Sequence, residues 1–216
     1  MKVNEIFTSI DGEGIRAGYP VTFIRLCKCN MRCSYCDTPY AFTDEGAEEM
    51  SVPQIIERIR KICASEYVTI TGGEPLAFNK NEVATLIMSL MVEGFKINIE
   101  TNGSIVPPVK SNDSLFYTMD YKCKSSGMNN MVSWEALESL TERDVLKFVV
   151  GNKEDLDETR EVISKLNTEA SIFISPVFGQ IDPKEIVNYI IVNKMHKCRV
   201  QLQLHKFIWD PNQKGV

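Results

Sequence analysis

An α/β fold, a partial and open parallel β/α barrel of about six strand–helix units, is the architecture this sequence predicts. Apolar runs of strand length alternate with amphipathic runs of helical period, which means parallel strands joined by helical crossovers. The 216 residues are too few for a complete eightfold barrel, which takes about 250. The unusual loops fall after strands, on the rim where parallel β/α folds place their ligand sites. With no internal repeat, low-complexity segment or long linker, residues 1–216 read as a single domain.

Lys2 to Ile10 is expected to form a first short strand, broken by Asp11-Gly12-Glu13-Gly14. Asp-Gly is ordinarily a turn signal, although Glu13 between two glycines also suits a backbone that approaches a ligand. Val21 to Leu26 follows as a strand, apolar except for Thr22 and Arg25. An arginine there either snorkels or is aimed at an anion, and its place just before a cysteine loop favours the anion.

Ser51 is expected to cap a helix with Pro53 in its first turn, and Ile55, Ile56, Ile59 and Ile62 make its apolar face. Cys63 adjoins that face and reads as a core residue. Tyr67 to Thr71 is a strand ending in Gly72-Gly73-Glu74-Pro75, and a helix from about Asn81 to Glu93 stops at Gly94. Lys96 to Thr101 and Leu115 to Lys122 are strands, and a short helix around Trp134 to Leu140 is capped by Ser133. Asp144 to Val150 is a strand, Lys153 to Asn167 a charged amphipathic helix, and Ser171 to Ser175 a strand stopped by Pro176. Asp182-Pro183 opens a helix running to about Lys197, and Arg199 to Phe207, with Val200, Leu202 and Leu204 alternating, is expected as the last strand.

The chemistry concentrates in Cys29-Asn30-Met31-Arg32-Cys33-Ser34-Tyr35-Cys36-Asp37-Thr38. The spacing C-x3-C-x2-C lets three thiolates converge on one inorganic centre. A cubane iron–sulfur cluster takes four thiolates, so three would leave one iron open for a ligand or substrate. Zinc is the alternative, with Cys27 as a fourth ligand. Cys27 and Cys29 are only two apart, however, and alternate residues of an extended segment have little slack. A disulfide framework is the weakest option, because seven cysteines is an odd number and the chain lacks the size and apolar leader of a small secreted domain. Of the two histidines, His196 reads as a solvated helix-end residue, and His205 as either a structural hydrogen bond or a ligand contact.

The net charge of −5 gives no support for a nucleic-acid surface. No apolar stretch approaches the roughly 20 residues of a membrane span. Reduced cysteines without a targeting segment point to the cytoplasm.

The cysteine loop after one strand, paired with Gly-Gly-Glu-Pro after the next, resembles the radical S-adenosylmethionine (SAM) enzymes. A finer resemblance, to the 7-carboxy-7-deazaguanine synthase family, covers most of the chain. It includes Phe7 to Gly14, Phe23 to Leu26, Cys29 to Thr38, Thr71 to Leu76, Glu100 to Gly103, Asp120 to Cys123, Lys147-Phe148 and Gln203 to Lys206. This resemblance implies a [4Fe–4S] cluster on Cys29, Cys33 and Cys36, whose open iron binds SAM, and the truncated barrel already expected. It implies conversion of 6-carboxytetrahydropterin to 7-carboxy-7-deazaguanine with loss of ammonia, in queuosine and deazapurine synthesis. Tyr35, Asp37, Gly72, Gly73 and Glu74 would contact SAM, with Lys122, Ser125 and Gln180 around its ribose and adenine. Asp11, Gly12, Glu13, Arg25, Thr71 and His205 would contact the pterin, and Thr38 would give its hydroxyl to Mg2+. A flavodoxin- or ferredoxin-type electron donor and a homodimer are implied as well. Two departures stand out: Asp11 where the family commonly has glutamine, and Lys28 where a glycine is usual. The rival readings are a radical activase that makes a glycyl radical on a partner protein, and a zinc-stabilised binding module.

Overall fold

Val145–Val150 is buried at every position, as a strand covered on both sides must be. It belongs to a nine-stranded sheet in the computed structural model, which describes residues 1–211 and 213–216. The strands are β1 (Lys2–Ile10), β2 (Pro20–Leu26), β3 (Glu48–Glu49), β4 (Tyr67–Gly72), β5 (Lys96–Thr101), β6 (Leu115–Lys122), β7 (Val145–Val150), β8 (Ser171–Pro176) and β9 (Cys198–Val200). Their spatial order is β3-β1-β2-β4-β5-β6-β7-β8-β9. From β2 through β9 every neighbouring pair is parallel.

The helices are α1 (Val52–Ile62), α2 (Lys80–Val92), α3 (Trp134–Glu138), α4 (Lys153–Lys165), α5 (Pro183–Val192) and the single turn α6 (His205–Ile208). The predicted caps form at several of them. Asp182 accepts from Lys184 N and Ser133 from Ala136 N, while Ser51 N is closed by Gln54 Oε1 at 2.8 Å. Ile55, Ile56 and Ile59 of α1 and Leu86, Ile87 and Leu90 of α2 join one core with Ile24, Ile70, Ile97, Met119 and Phe148 of the strands. Alternate strand residues on the other side are polar: Thr69, Thr71, Asn98, Thr118 and Lys147 are all buried. Opposite parity along a strand means opposite faces, so the barrel interior is polar while its outside is cemented to helices. No helix among the described residues is long and apolar enough to cross a membrane.

Three features differ from expectation. The first strand is not part of the parallel set: β1 pairs antiparallel with β2, and β3 antiparallel with β1, at one edge. The β1–β2 loop consequently starts at the amino-terminal ends of the parallel strands. There Arg16 donates to Lys96 O, Val68 O, Thr69 Oγ1 and Asp11 Oδ2, plugging the barrel floor. The last strand is also shorter than predicted. After Val200 the Gln201 side chain binds both Gly14 N and Gly14 O, at 2.7 and 2.9 Å, and Leu204 N bonds to Gly12 O. The chain is thus drawn across the floor loop, Leu202 and Leu204 leave the sheet, and His205 sits on the turn α6 instead of a strand. Third, α5 ends at Val192, short of Lys197, because Lys194 adopts a left-handed φ of 51° and Met195 N turns back to Ile190 O.

Candidate active site

The sequence folds so that one cavity, of about 510 Å³, opens into the barrel interior. Its wall carries the cysteine loop. Cys29, Cys33 and Cys36 line it, half-buried, whereas Cys27 is fully buried elsewhere with its thiol on Lys2 O at 3.4 Å. Neighbouring strand ends hold the loop. Gly73 N and Glu74 N donate to Leu26 O and Lys28 O, both at 2.8 Å, and Asn102 Nδ2 donates to Asn30 Oδ1 at 2.8 Å. On the far side Ser34 N bonds to Ser126 O at 3.0 Å.

Gly72 and Gly73 serve this packing. A Cβ on Gly72 would lie 2.0 Å from Leu26 O, and one on Gly73 2.0 Å from Lys28 O. The strand end and the loop can therefore lie backbone on backbone only because both residues lack a side chain. Lys28, in the glycine's usual place, holds a left-handed φ of 66°, which explains why a glycine suits it.

The loop suits a polynuclear cluster better than a single ion. Among the described residues the three thiols do not all approach within 4.8 Å of one another, as donors around one metal ion would. Zinc–thiolate bonds of about 2.3 Å would bring them closer than that. Met31 N and Asn102 Nδ2 donate to Cys29 Sγ at 3.4 and 3.8 Å, the kind of bond that tunes an iron–sulfur centre. Burial pushes the Cys33 and Cys36 thiols up, so a bound metal is what would hold them as thiolates. Another buried group of potential ligands, Cys123, Asp155 and Glu158, has its polar atoms engaged by protein partners: Thr159, the Ser125 and Gly151 amides, Tyr121 and the Lys124 amide.

The floor is a network of charges. Lys147 Nζ lies 3.0 Å from Glu13 Oε2 and 3.1 Å from Asp120 Oδ1, and Asp120 Oδ2 takes Lys122 at 3.0 Å. Burial alone would lower the Lys147 ammonium, but Asp120, Glu13 and Glu100 outweigh it and hold it well above the ordinary lysine value. Burial pushes the Glu100 carboxyl up, against Lys147 and the Thr71 hydroxyl that donates to it at 2.7 Å. Despite desolvation, Asp37 is held below the ordinary carboxylate value by Lys206, 3.2 Å away, and by Thr38, which donates to it at 2.9 Å. Arg25 Nε pairs with Glu5 at 2.7 Å, and the Tyr40 hydroxyl donates to the same oxygen.

The radical SAM superfamily model matches residues 24–112. The 7-carboxy-7-deazaguanine synthase of Methanospirillum hungatei is 44% identical over 211 residues, 98% of this chain and 86% of that protein. The chain belongs to the 7-carboxy-7-deazaguanine synthase family, within the radical SAM superfamily. The Clostridium acetobutylicum synthase, 37% identical, spans 100% of this chain and 99% of its own length. In fold, the crystal structure of QueE from Escherichia coli superposes with a TM-score of 0.77 at 24% identity, covering 94% of this chain and 93% of that one.

Within this synthase-family chain the cavity gathers most residues singled out from sequence: Gly12, Glu13, Arg25, the three cysteines, Tyr35, Asp37, Thr38, Thr71, Gly72, Gly73, Lys122, Gln180 and His205. It leaves out Asp11, Glu74 and Ser125. Asp11 faces the floor plug, with Arg16 and Thr69 each 2.9 Å from its carboxylate, so it is not placed to touch a ligand. Glu74 turns both oxygens to Leu76 N, Thr101 Oγ1 and Asn102 N and supports the strand ends from behind. Ser125 gives its amide and hydroxyl to Asp155. Sequence reasoning missed Lys147, Asp120, Gln203, Lys206 and Asn102 as cavity residues. For Lys147 the signal was a lone lysine in the strand Val145–Val150; for Asp120 it was the alternation of Thr118, Asp120 and Lys122.

Proposed function

We infer that this chain is a radical SAM lyase converting 6-carboxy-5,6,7,8-tetrahydropterin to 7-carboxy-7-deazaguanine, with release of ammonia, on the route to queuosine and other deazapurines. One observation carries the reading: a single cavity brings the three thiols to its wall and the Glu13–Lys147 pair to its floor, in a chain of this family. Cys29, Cys33 and Cys36 would hold the [4Fe–4S] cluster, leaving one iron for SAM. When bound, the cluster and SAM would supply the one-electron chemistry that removes a hydrogen atom from the substrate.

The residues of this chain bind, orient and exclude water. Tyr35, Asp37, Gly72, Gly73, Lys122 and Gln180 line the part of the cavity assigned to SAM, with Glu74 and Ser125 supporting it from outside the lining. Arg25 is assigned to the substrate carboxylate, Glu13 to pterin N–H groups, and Gly12, Thr71 and His205 to the remaining edge. Thr38 would offer its hydroxyl to Mg2+, an ion that keeps several waters and substrate oxygens as ligands. A flavodoxin- or ferredoxin-type donor would supply the electron, and the enzyme would work in the cytoplasm as a homodimer, which sedimentation velocity checks.

The test is anaerobic incubation of cluster-reconstituted protein with SAM, reductant, Mg2+ and 6-carboxytetrahydropterin, followed by mass analysis. Appearance of 7-carboxy-7-deazaguanine supports the reading; deoxyadenosine without that product overturns the substrate assignment. Thr38→Ala is expected to weaken the Mg2+ response more than SAM binding, and equal losses would remove its assigned role.

A further inference from the structure

The two oxygens of Glu13 are treated differently by the protein. Oε2 receives Lys147 Nζ at 3.0 Å and Gln203 Nε2 at 3.1 Å. Oε1 is buried and has no hydrogen-bond partner among the described residues. The Glu13 side chain is only 9% exposed and that of Lys147 6%. A buried carboxylate oxygen left bare is costly, and its presence in a ligand cavity asks for a donor on the ligand.

Lys147 has no freedom to turn elsewhere. Asp120 faces its ammonium from the neighbouring strand, and Asp120 is itself tied to Lys122. Gln203 arrives from the segment drawn across the floor, so the carboxylate is fixed from two directions. With Oε2 engaged by the Lys147 ammonium and the Gln203 amide, Oε1 is left as the free hydrogen-bond acceptor of Glu13.

We propose that Lys147, assisted by Gln203, is a positioning residue that makes Glu13 Oε1 a selective acceptor for a ligand N–H, so that the site takes 2-amino pterins and refuses 2-oxo analogues. This rests on the pterin reading above. With the ligand carboxylate held at Arg25, a 2-amino group supplies donors, whereas a 2-oxo group brings lone pairs toward a carboxylate. Sites built around such a hydrogen bond discriminate by large factors because the buried protein group is otherwise left unpaired.

The experiment measures equilibrium binding of pterin-6-carboxylate and lumazine-6-carboxylate to cluster-reconstituted protein, wild type and variant, without turnover. Wild type is expected to prefer the 2-amino ligand by at least about 100-fold. Lys147→Met should cut that preference below about tenfold and raise KM for 6-carboxytetrahydropterin more than it lowers kcat, with Lys147→Arg restoring part of both. Gln203→Leu, which leaves the ion pair in place, should reduce the preference by a smaller factor. A folded Lys147→Met protein that keeps the wild-type preference overturns the proposal. If that variant does not fold, an undiminished preference in Gln203→Leu overturns it instead. Wild-type turnover combined with equal binding of both ligands sinks the selectivity alone, while wild type that binds neither ligand and makes no product sinks the pterin reading beneath it.

Discussion

Replacing Gly73 by alanine adds one carbon where the structure has no room. Its Cβ would lie 2.0 Å from Lys28 O, 2.3 Å from Lys28 C and 2.9 Å from Cys29 N. Carbon contacts become favourable only from about 3.5 Å, so the strand end and the cysteine loop must part by about 1.5 Å. Backbone atoms cannot swing aside as a side-chain tip does. The bonds Gly73 N to Leu26 O and Glu74 N to Lys28 O, now 2.8 Å, would open beyond hydrogen-bonding range. Two backbone donors left without partners cost about 2–5 kcal/mol together. For a chain of this size that is a fall in Tm of about 5–15 °C. Cys29 moves with Lys28, so the loss should be larger in function than in folding. Iron per chain after anaerobic reconstitution is expected to drop sharply, even well below the variant's Tm. A Gly73→Ala protein with wild-type Tm and full iron content would refute the close-packing account.

Other consequences are checked separately. Lys28→Gly relieves a left-handed φ of 66° and should stabilise the protein by about 1 kcal/mol in urea unfolding, since the exposed Lys28–Asp44 pair contributes little; an unchanged or lower midpoint counts against it. Cys27→Ala should leave reconstituted iron intact, while Cys29→Ala abolishes the cluster; iron loss in both would make Cys27 a ligand. Burial holds the His205 imidazole below its ordinary value of 6.5, with Glu13 and Asp37 opposing in part. A histidine depressed in the folded state costs no stability above pH 6.5, and stability falls as the pH drops below 6.5 toward the folded value. The acid side of the stability profile should therefore be shallower in His205→Gln than in wild type, and superimposable profiles would dismiss this contribution.

What the sequence made legible was local. The cysteine spacing, the Gly-Gly-Glu-Pro stop, the helix caps and the strand periods each lie within a few residues, where chain geometry leaves few choices. Strand direction does not: nothing within Lys2–Ile10 says it runs antiparallel to Pro20–Leu26. Nor does the alternation of Val200, Leu202 and Leu204 reveal that Gln201 will bind Gly14, far back in the chain, and pull the segment out of the sheet. Asp11 was misread for the same reason, because its partners Arg16 and Thr69 meet it only once the hairpin lies under the barrel.

Those two non-local events build the floor of the cavity. The antiparallel β1–β2 hairpin sends Gly12 and Glu13 into the floor, and the diverted segment after β9 brings Gln203 and His205 over them. The fit is close enough that a Cβ on Gly12 would lie 2.1 Å from His205 Nδ1. The cysteine loop, in contrast, hangs on the ends of β2, β4 and β5 and is anchored independently of that floor. One rim therefore carries the three thiols, defined by spacing within ten residues, and one floor carries the charged network, defined by partners scattered along the chain. Asp120 joins them, since its carboxylate holds Lys147 toward Glu13 and Lys122 beside Cys33 and Tyr35. Substitutions in the loop should accordingly change iron content before ligand preference, and substitutions in the floor the reverse.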